Sequence, residues 1–190
     1  MNWMKKVAVA LVCLLPLGLQ AAKIDTLQVK SPSMNKSIEV VVVSPDVAAT
    51  KACPVIYLLH GYGGNACTWV GIKPDLPKIA DEKGIFFVCP DGKNTWYWDS
   101  PLNADVRYET FISNELVKYV DSHYKTVADR KGRAITGLSM GGHGAMWNGL
   151  RHSDVFSAAG STSGGVDIRP FPKNWEMSVQ IGEKAKYPEN

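Results

Sequence analysis

Gly137-Leu138-Ser139-Met140-Gly141 is the stretch of this 190-residue chain whose residue types and spacing could do covalent chemistry. A serine hydroxyl is a poor nucleophile until the backbone exposes it and a base takes its proton. The pattern G-x-S-x-G meets the first condition. Glycines two residues to either side let a strand and a helix pass closely, and the serine occupies the strained turn between them. The flanking sequence fits that geometry: residues 133–138 read as an apolar strand leading in, and the Gly/Ala-rich residues 141–150 as a helix leading out. The competing reading is a glycine-rich turn with no chemistry.

Acyl transfer through a serine also needs N–H donors for the oxyanion of the tetrahedral intermediate. His60-Gly61-Tyr62-Gly63-Gly64 follows a continuous apolar run, and in hydrolases of this type the loop there supplies one backbone N–H, the residue after the nucleophile supplying the other. The expected donors are therefore Tyr62 and Met140. A phosphate-cradling loop is the weaker alternative, because no G-K-[ST] follows. A third segment runs from Pro90 to Pro101 and contains Trp96-Tyr97-Trp98. Following a strand end, it faces the same crevice, and the three aromatics are candidates for the wall of an acyl or sugar pocket. The alternative is a loop that only packs on the core.

A serine nucleophile in this arrangement works with an acid and then a histidine, in that chain order. After Ser139 the histidines are His143 and His152, and no Asp or Glu lies between Ser139 and either. His152 suits a helix-end cation. His60 and His123 precede the serine and are assigned to packing or surface. The acid and the base are thus expected beyond Asn190, and a chain lacking them is expected to be nearly inactive, with only the residual catalysis of binding and the oxyanion hole.

The elements that would position these residues alternate along the chain. Residues 24–30 and 37–44 read as an antiparallel hairpin at a sheet edge, the second rich in valine. Residues 54–59 and 85–89 are apolar throughout, the pattern of parallel strands buried on both faces. Residues 75–83 read as a helix stopped by Gly84; residues 107–123 place Tyr108, Phe111, Ile112, Leu116, Tyr119 and Val120 on one helical face; residues 155–160 read as a further strand. Strand and helix alternating in this way predict an α/β protein with a doubly wound, mostly parallel sheet.

HGYGG, then PDG followed by WYWDSP, then GRAITGLSMGGHGA, in this order, resembles the esterase family that includes esterase D, feruloyl and acetylxylan esterases and, more distantly, the mycolyltransferases. The resemblance covers about residues 24–165. It implies an α/β-hydrolase three-layer sandwich whose last strands fall outside this chain, a Ser-Asp-His triad with Ser139 as nucleophile, oxyanion donors at Tyr62 and Met140, and no metal or organic cofactor. His143 matches the family's SMGGHGA histidine, a neighbour of the nucleophile and not its base. The expected function is a serine carboxylesterase acting on small or polysaccharide-linked acyl esters, such as feruloyl or acetyl esters. A peptidase or acyltransferase would share the elbow, and a carbohydrate-binding pseudoenzyme would fit the missing base.

At 45% apolar residues the chain can build one domain, expected over residues 23–190. Residues 1–22 read as a signal peptide: Lys5 and Lys6, an apolar run over 7–15, a Pro16/Gly18 break and small residues at Ala21 and Ala22. The uncharged span is too short for a bilayer, so a secreted or periplasmic protein without stable membrane insertion is expected. Its removal leaves 19 basic and 18 acidic residues, which excludes a nucleic-acid footprint. Cys53, Cys67 and Cys89 are odd in number and lack a C-x-x-C pair, so buried free thiols are expected rather than a zinc site or disulfide framework.

Overall fold

A computed structural model describes residues 22–171, 173–183 and 186; most of the leader segment, residues 1–21, lies outside them. Six strands form one sheet in the order β1-β2-β4-β3-β5-β6. β1 (Lys23–Ser31) and β2 (Lys36–Ser44) pair antiparallel as the expected edge hairpin, and β2 runs antiparallel to β4 (Phe86–Pro90). β3 (Val55–Leu59) is parallel to β4 and to β5 (Arg133–Gly137), with Leu59 opposite Gly137.

The valine and aromatic runs place side chains on both faces by their period of two. Val40, Val42, Val55, Tyr57, Phe86 and Val88 enter one apolar cluster; Val41, Val43, Leu58, Phe87 and Cys89 enter the other. Each cluster is closed by helices. Beyond α1 (Thr68–Ile72), α2 (Leu76–Lys83) covers the second face with Leu76 and Ala80 and ends at Gly84 as expected. The first face is covered by a helical run and by α5 (Met140–Arg151). Burying each such valine, leucine or phenylalanine contributes about 1.5–3 kcal/mol, so the three-layer arrangement is where this chain gains most from folding.

Two elements differ from their sequence reading. The helix expected over 107–123 is α3 (Tyr108–Thr110) and α4 (Leu116–His123) joined by a wide π-helical turn, Phe111–Glu115. That turn keeps Phe111 and Ile112 in the core while Glu115 accepts the Ser33 N–H at 2.8 Å and the Ser31 hydroxyl at 2.5 Å, tying it to the β1–β2 turn. The strand expected over 155–160 is reduced to β6 (Ala158–Ala159), pairing with Ala134 and Ile135. Two exposed alanines offer little packing, and the pairing continues as irregular backbone: Gly160 N–H donates to Ile135 O and Thr162 N–H to Gly137 O, both at 2.9 Å. The last helix of the described residues is α6 (Met177–Ile181).

All three cysteines among these residues are free; Cys53 and Cys89 are buried as expected, whereas Cys67 is exposed at the start of α1. No helix of the described residues is long and apolar enough to cross a membrane.

Candidate active site

The backbone turns at Ser139 through φ 54° and ψ −116°, a conformation an L-residue adopts only under constraint. Three contacts hold it there. Ser139 N–H donates to Thr162 O at 2.8 Å, Leu138 N–H to Leu59 O at 3.1 Å, and Gly141 N–H to Leu138 O at 2.8 Å. The glycines of the motif are required by space: a Cβ on Gly137 would lie 2.3 Å from the Gly141 carbonyl, and one on Gly141 would lie 2.1 Å from Leu59 O. Neither backbone neighbour can yield without separating α5 from β5 or from β3. Gly141→Ala is therefore expected to cost about 3 kcal/mol, read as a lowered denaturation midpoint, and to blunt the reactivity of Ser139. An unchanged midpoint would mean the helix and strand can part freely here.

Gly61 abuts the nucleophile, since a Cβ there would fall 3.5 Å from Ser139 Cβ. This contact sets the next residue, Tyr62, beside the serine. Met140 opens α5, so its N–H is one of the helix's unmatched donors. Among the described residues neither the Tyr62 nor the Met140 N–H has an acceptor. Tyr62, Ser139 and Met140 line one cleft of about 250 Å³.

Of the three loop aromatics, Trp96 alone lines this cleft. All three are buried in the core, 4%, 0% and 3% exposed, and Tyr97 and Trp98 do not reach the cleft, which corrects their assignment to the pocket wall. The reason is the backbone: Trp96 and Tyr97 both take left-handed conformations, φ 59° and 61°, and the loop folds inward. Trp98 stacks behind Trp96 at 5.6 Å between ring centroids, and the Tyr97 hydroxyl donates to His60 O at 3.1 Å.

His60 laces two loops together. Its Nδ1 donates to Gly61 O at 2.7 Å and its Nε2 accepts the Gly92 N–H at 2.9 Å. His143 is buried one turn into α5, donating from Nδ1 to Gly165 O at 2.7 Å with its ring edge-on to Trp96 and Trp98. Burial pushes its pKa down, the Gly165 bond opposing. His152 caps α5 and meets Glu109 Oε1 at 2.8 Å; His123 stacks on Tyr119 at the end of α4. Among the described residues no histidine hydrogen-bonds the Ser139 hydroxyl.

The rest of the cleft comes from a segment that carried no periodic pattern. Ser163, Asp167, Ile168, Phe171, Trp175 and Met177 line it, Phe171 and Trp175 being 45% and 50% exposed. Trp175 O accepts the Trp96 indole N–H at 3.1 Å, and Ser100 Oγ donates to Gln180 O at 2.5 Å, so this segment is docked on the aromatic loop. Asp167 lies at the cleft with its pKa lowered to about 2 by its pairing with Arg169. Among the described residues no group of histidines, cysteines and carboxylates could hold a metal ion.

The family model described as "Putative esterase" matches residues 31–188. An esterase of Mycobacterium tuberculosis is 28% identical over 149 residues, 75% of this chain and 32% of that protein. An acetyl esterase of Caldicellulosiruptor saccharolyticus is 32% identical over 102 residues, 53% of this chain and 37% of that protein. The chain thus spans about a third of the length of these curated relatives. Among solved structures, a ferulic acid esterase superposes with a TM-score of 0.71 at 29% identity, over 88% of this chain and 71% of that one.

Proposed function

Because the chain belongs to the esterase family, with the α/β-hydrolase fold, we propose that it is a serine carboxylesterase whose nucleophile is Ser139 and whose oxyanion donors are the Tyr62 and Met140 N–H groups. The observation that carries this reading is the strained Ser139 turn set beside two backbone N–H groups without acceptors, at the floor of one cleft. Ser139 Oγ attacks the acyl carbon, its proton passing to a base. The carbonyl oxygen becomes an oxyanion held by the two N–H groups, and collapse expels the alcohol to leave an acyl-enzyme that water hydrolyses. The donors need no rearrangement as charge develops, which is what makes them effective. The leader pattern of residues 1–22 supports reading it as an exported protein.

The acyl group we assign is aromatic. Trp96, Phe171, Trp175 and Tyr62 put flat apolar surface on several sides of the cleft, which suits a feruloyl group better than an acetyl group. Trp175→Ala is expected to lower kcat/KM on a methyl ferulate ester about 10-fold and on an acetyl ester by less than 3-fold, because only the ring contact is lost. As Trp175 is half exposed, the denaturation midpoint should hardly move. Equal loss on both esters would sink the aromatic assignment.

A further inference from the structure

The loop after β3 presents three successive backbone N–H groups, of Tyr62, Gly63 and Gly64, beside the nucleophile, and two of them are spoken for. Gly64 N–H donates to Gly61 O at 3.0 Å, closing a tight turn through Gly63 at φ 75°. Gly63 N–H donates to Asn94 Oδ1 at 2.8 Å. Tyr62 N–H alone is left for a ligand oxygen.

Asn94 itself stands on a pinned turn. Gly92 N–H is bound by His60 Nε2, Thr95 N–H and hydroxyl both donate to Gly92 O, and Asn94 O accepts from Gln180 Nε2 at 3.5 Å. The same carboxamide lies beside the Tyr62 phenol, which Glu176 drives to a higher pKa while Asn94 acts the other way. One side chain from the aromatic loop thus meets both the backbone and the side chain of the oxyanion loop.

We propose that Asn94 is a positioning residue for the oxyanion hole: by taking the Gly63 N–H it fixes the Tyr62–Gly63 peptide, and with it the turn in which Gly61 O, held by Gly64 N–H and His60 Nδ1, aims the Tyr62 N–H of its own peptide at the oxyanion, while Gly63 cannot compete for it. The proposal rests on the assignment of Ser139 and Tyr62 made above. A peptide free to rotate would still bind substrate, since the ground-state carbonyl asks little of the donor, but would meet the developing charge out of line. A misplacement of about 1 Å costs on the order of 100-fold in rate.

The test compares Asn94→Ala, Asn94→Leu and Asn94→Asp in the full chain that carries the catalytic acid and base. Leucine keeps the volume without an acceptor, which guards against a folding defect in the alanine variant; aspartate keeps an oxygen for the Gly63 N–H. The alanine and leucine variants are expected to lose about 100-fold in kcat with KM within threefold, and to bind a boronic acid, which forms a tetrahedral anion on Ser139, about 100-fold more weakly. Asn94→Asp is expected to stay within about tenfold of wild type. Wild-type kcat in the alanine or leucine variant, or a loss confined to KM, would overturn the role. Equal damage in all three variants would overturn it as well. Ester hydrolysis surviving in Ser139→Ala would instead remove the assignment of the nucleophile, and this proposal with it.

Discussion

With the catalytic base in place, Ser139→Ala is expected to lower kcat on an acyl ester by about 10⁴- to 10⁶-fold and to abolish labelling by a fluorophosphonate probe, while leaving the denaturation midpoint unchanged or slightly raised. The size follows from what serine nucleophiles do when removed: what remains is binding and the oxyanion hole. The stability part follows from the backbone. Ser139 N–H, which donates to Thr162 O, is kept by alanine, and among the described residues the lost hydroxyl has no hydrogen-bond partner. Ser139→Gly carries the argument further, because glycine adopts φ 54° without the cost an L-residue bears there. Relieving that strain should raise stability by about 1–3 kcal/mol in a dead enzyme. Labelling of another serine, with hydrolysis surviving, would refute the elbow; a glycine variant less stable than wild type would refute the strain.

Trp98→Ala is expected to cost about 3–5 kcal/mol of stability while leaving kcat/KM per folded molecule within about threefold. Trp98 is 3% exposed and sits among Trp96, His143 and Trp147 at centroid distances of 5.6, 5.1 and 6.2 Å. Removing the indole opens a void that rings on three sides cannot fill, and that residual cavity adds to the lost transfer energy. Its indole N–H is buried without a partner among the described residues. Packing alone therefore holds the ring, and Trp98→Phe should recover most of the loss. A variant of unaltered midpoint that fails selectively on an aromatic ester would return Trp98 to the pocket wall.

The contrast between Trp96 and Trp98 shows where sequence reading reaches and where it stops. The strands β1 to β5 and the helices α2, α4 and α5 were legible because burial on one or both faces imposes a period that survives any tertiary detail. The elbow was legible for the same kind of reason: two close backbone passages demand glycine at 137 and 141 whatever surrounds them. Nothing local distinguishes Trp96 from Trp98. Both sit in the core, and which of them also reaches the cleft is decided by two successive left-handed residues, Trp96 and Tyr97, which are not residue types that announce such a turn. Asn94, Phe171 and Trp175 were missed because each acquires its place only through partners distant in the chain: Gly63 for the first, the mouth of the cleft for the others. The shortened β6 and the wide turn at Phe111–Glu115 are likewise decided by neighbours, not by propensity.

The imidazole of His60 has a mechanical consequence. His60 is joined covalently to the oxyanion loop through Gly61, its Nε2 accepts the Gly92 N–H, and its backbone carbonyl accepts from the Tyr97 hydroxyl. The acyl-side wall and the charge-binding floor are therefore tied to each other through His60. A disturbance at Gly92 or Tyr97, the points His60 grips, is transmitted to the donor at Tyr62, whereas Trp98 lies outside that link. Substitutions at those points that retune which acyl group fits will for that reason also register in turnover.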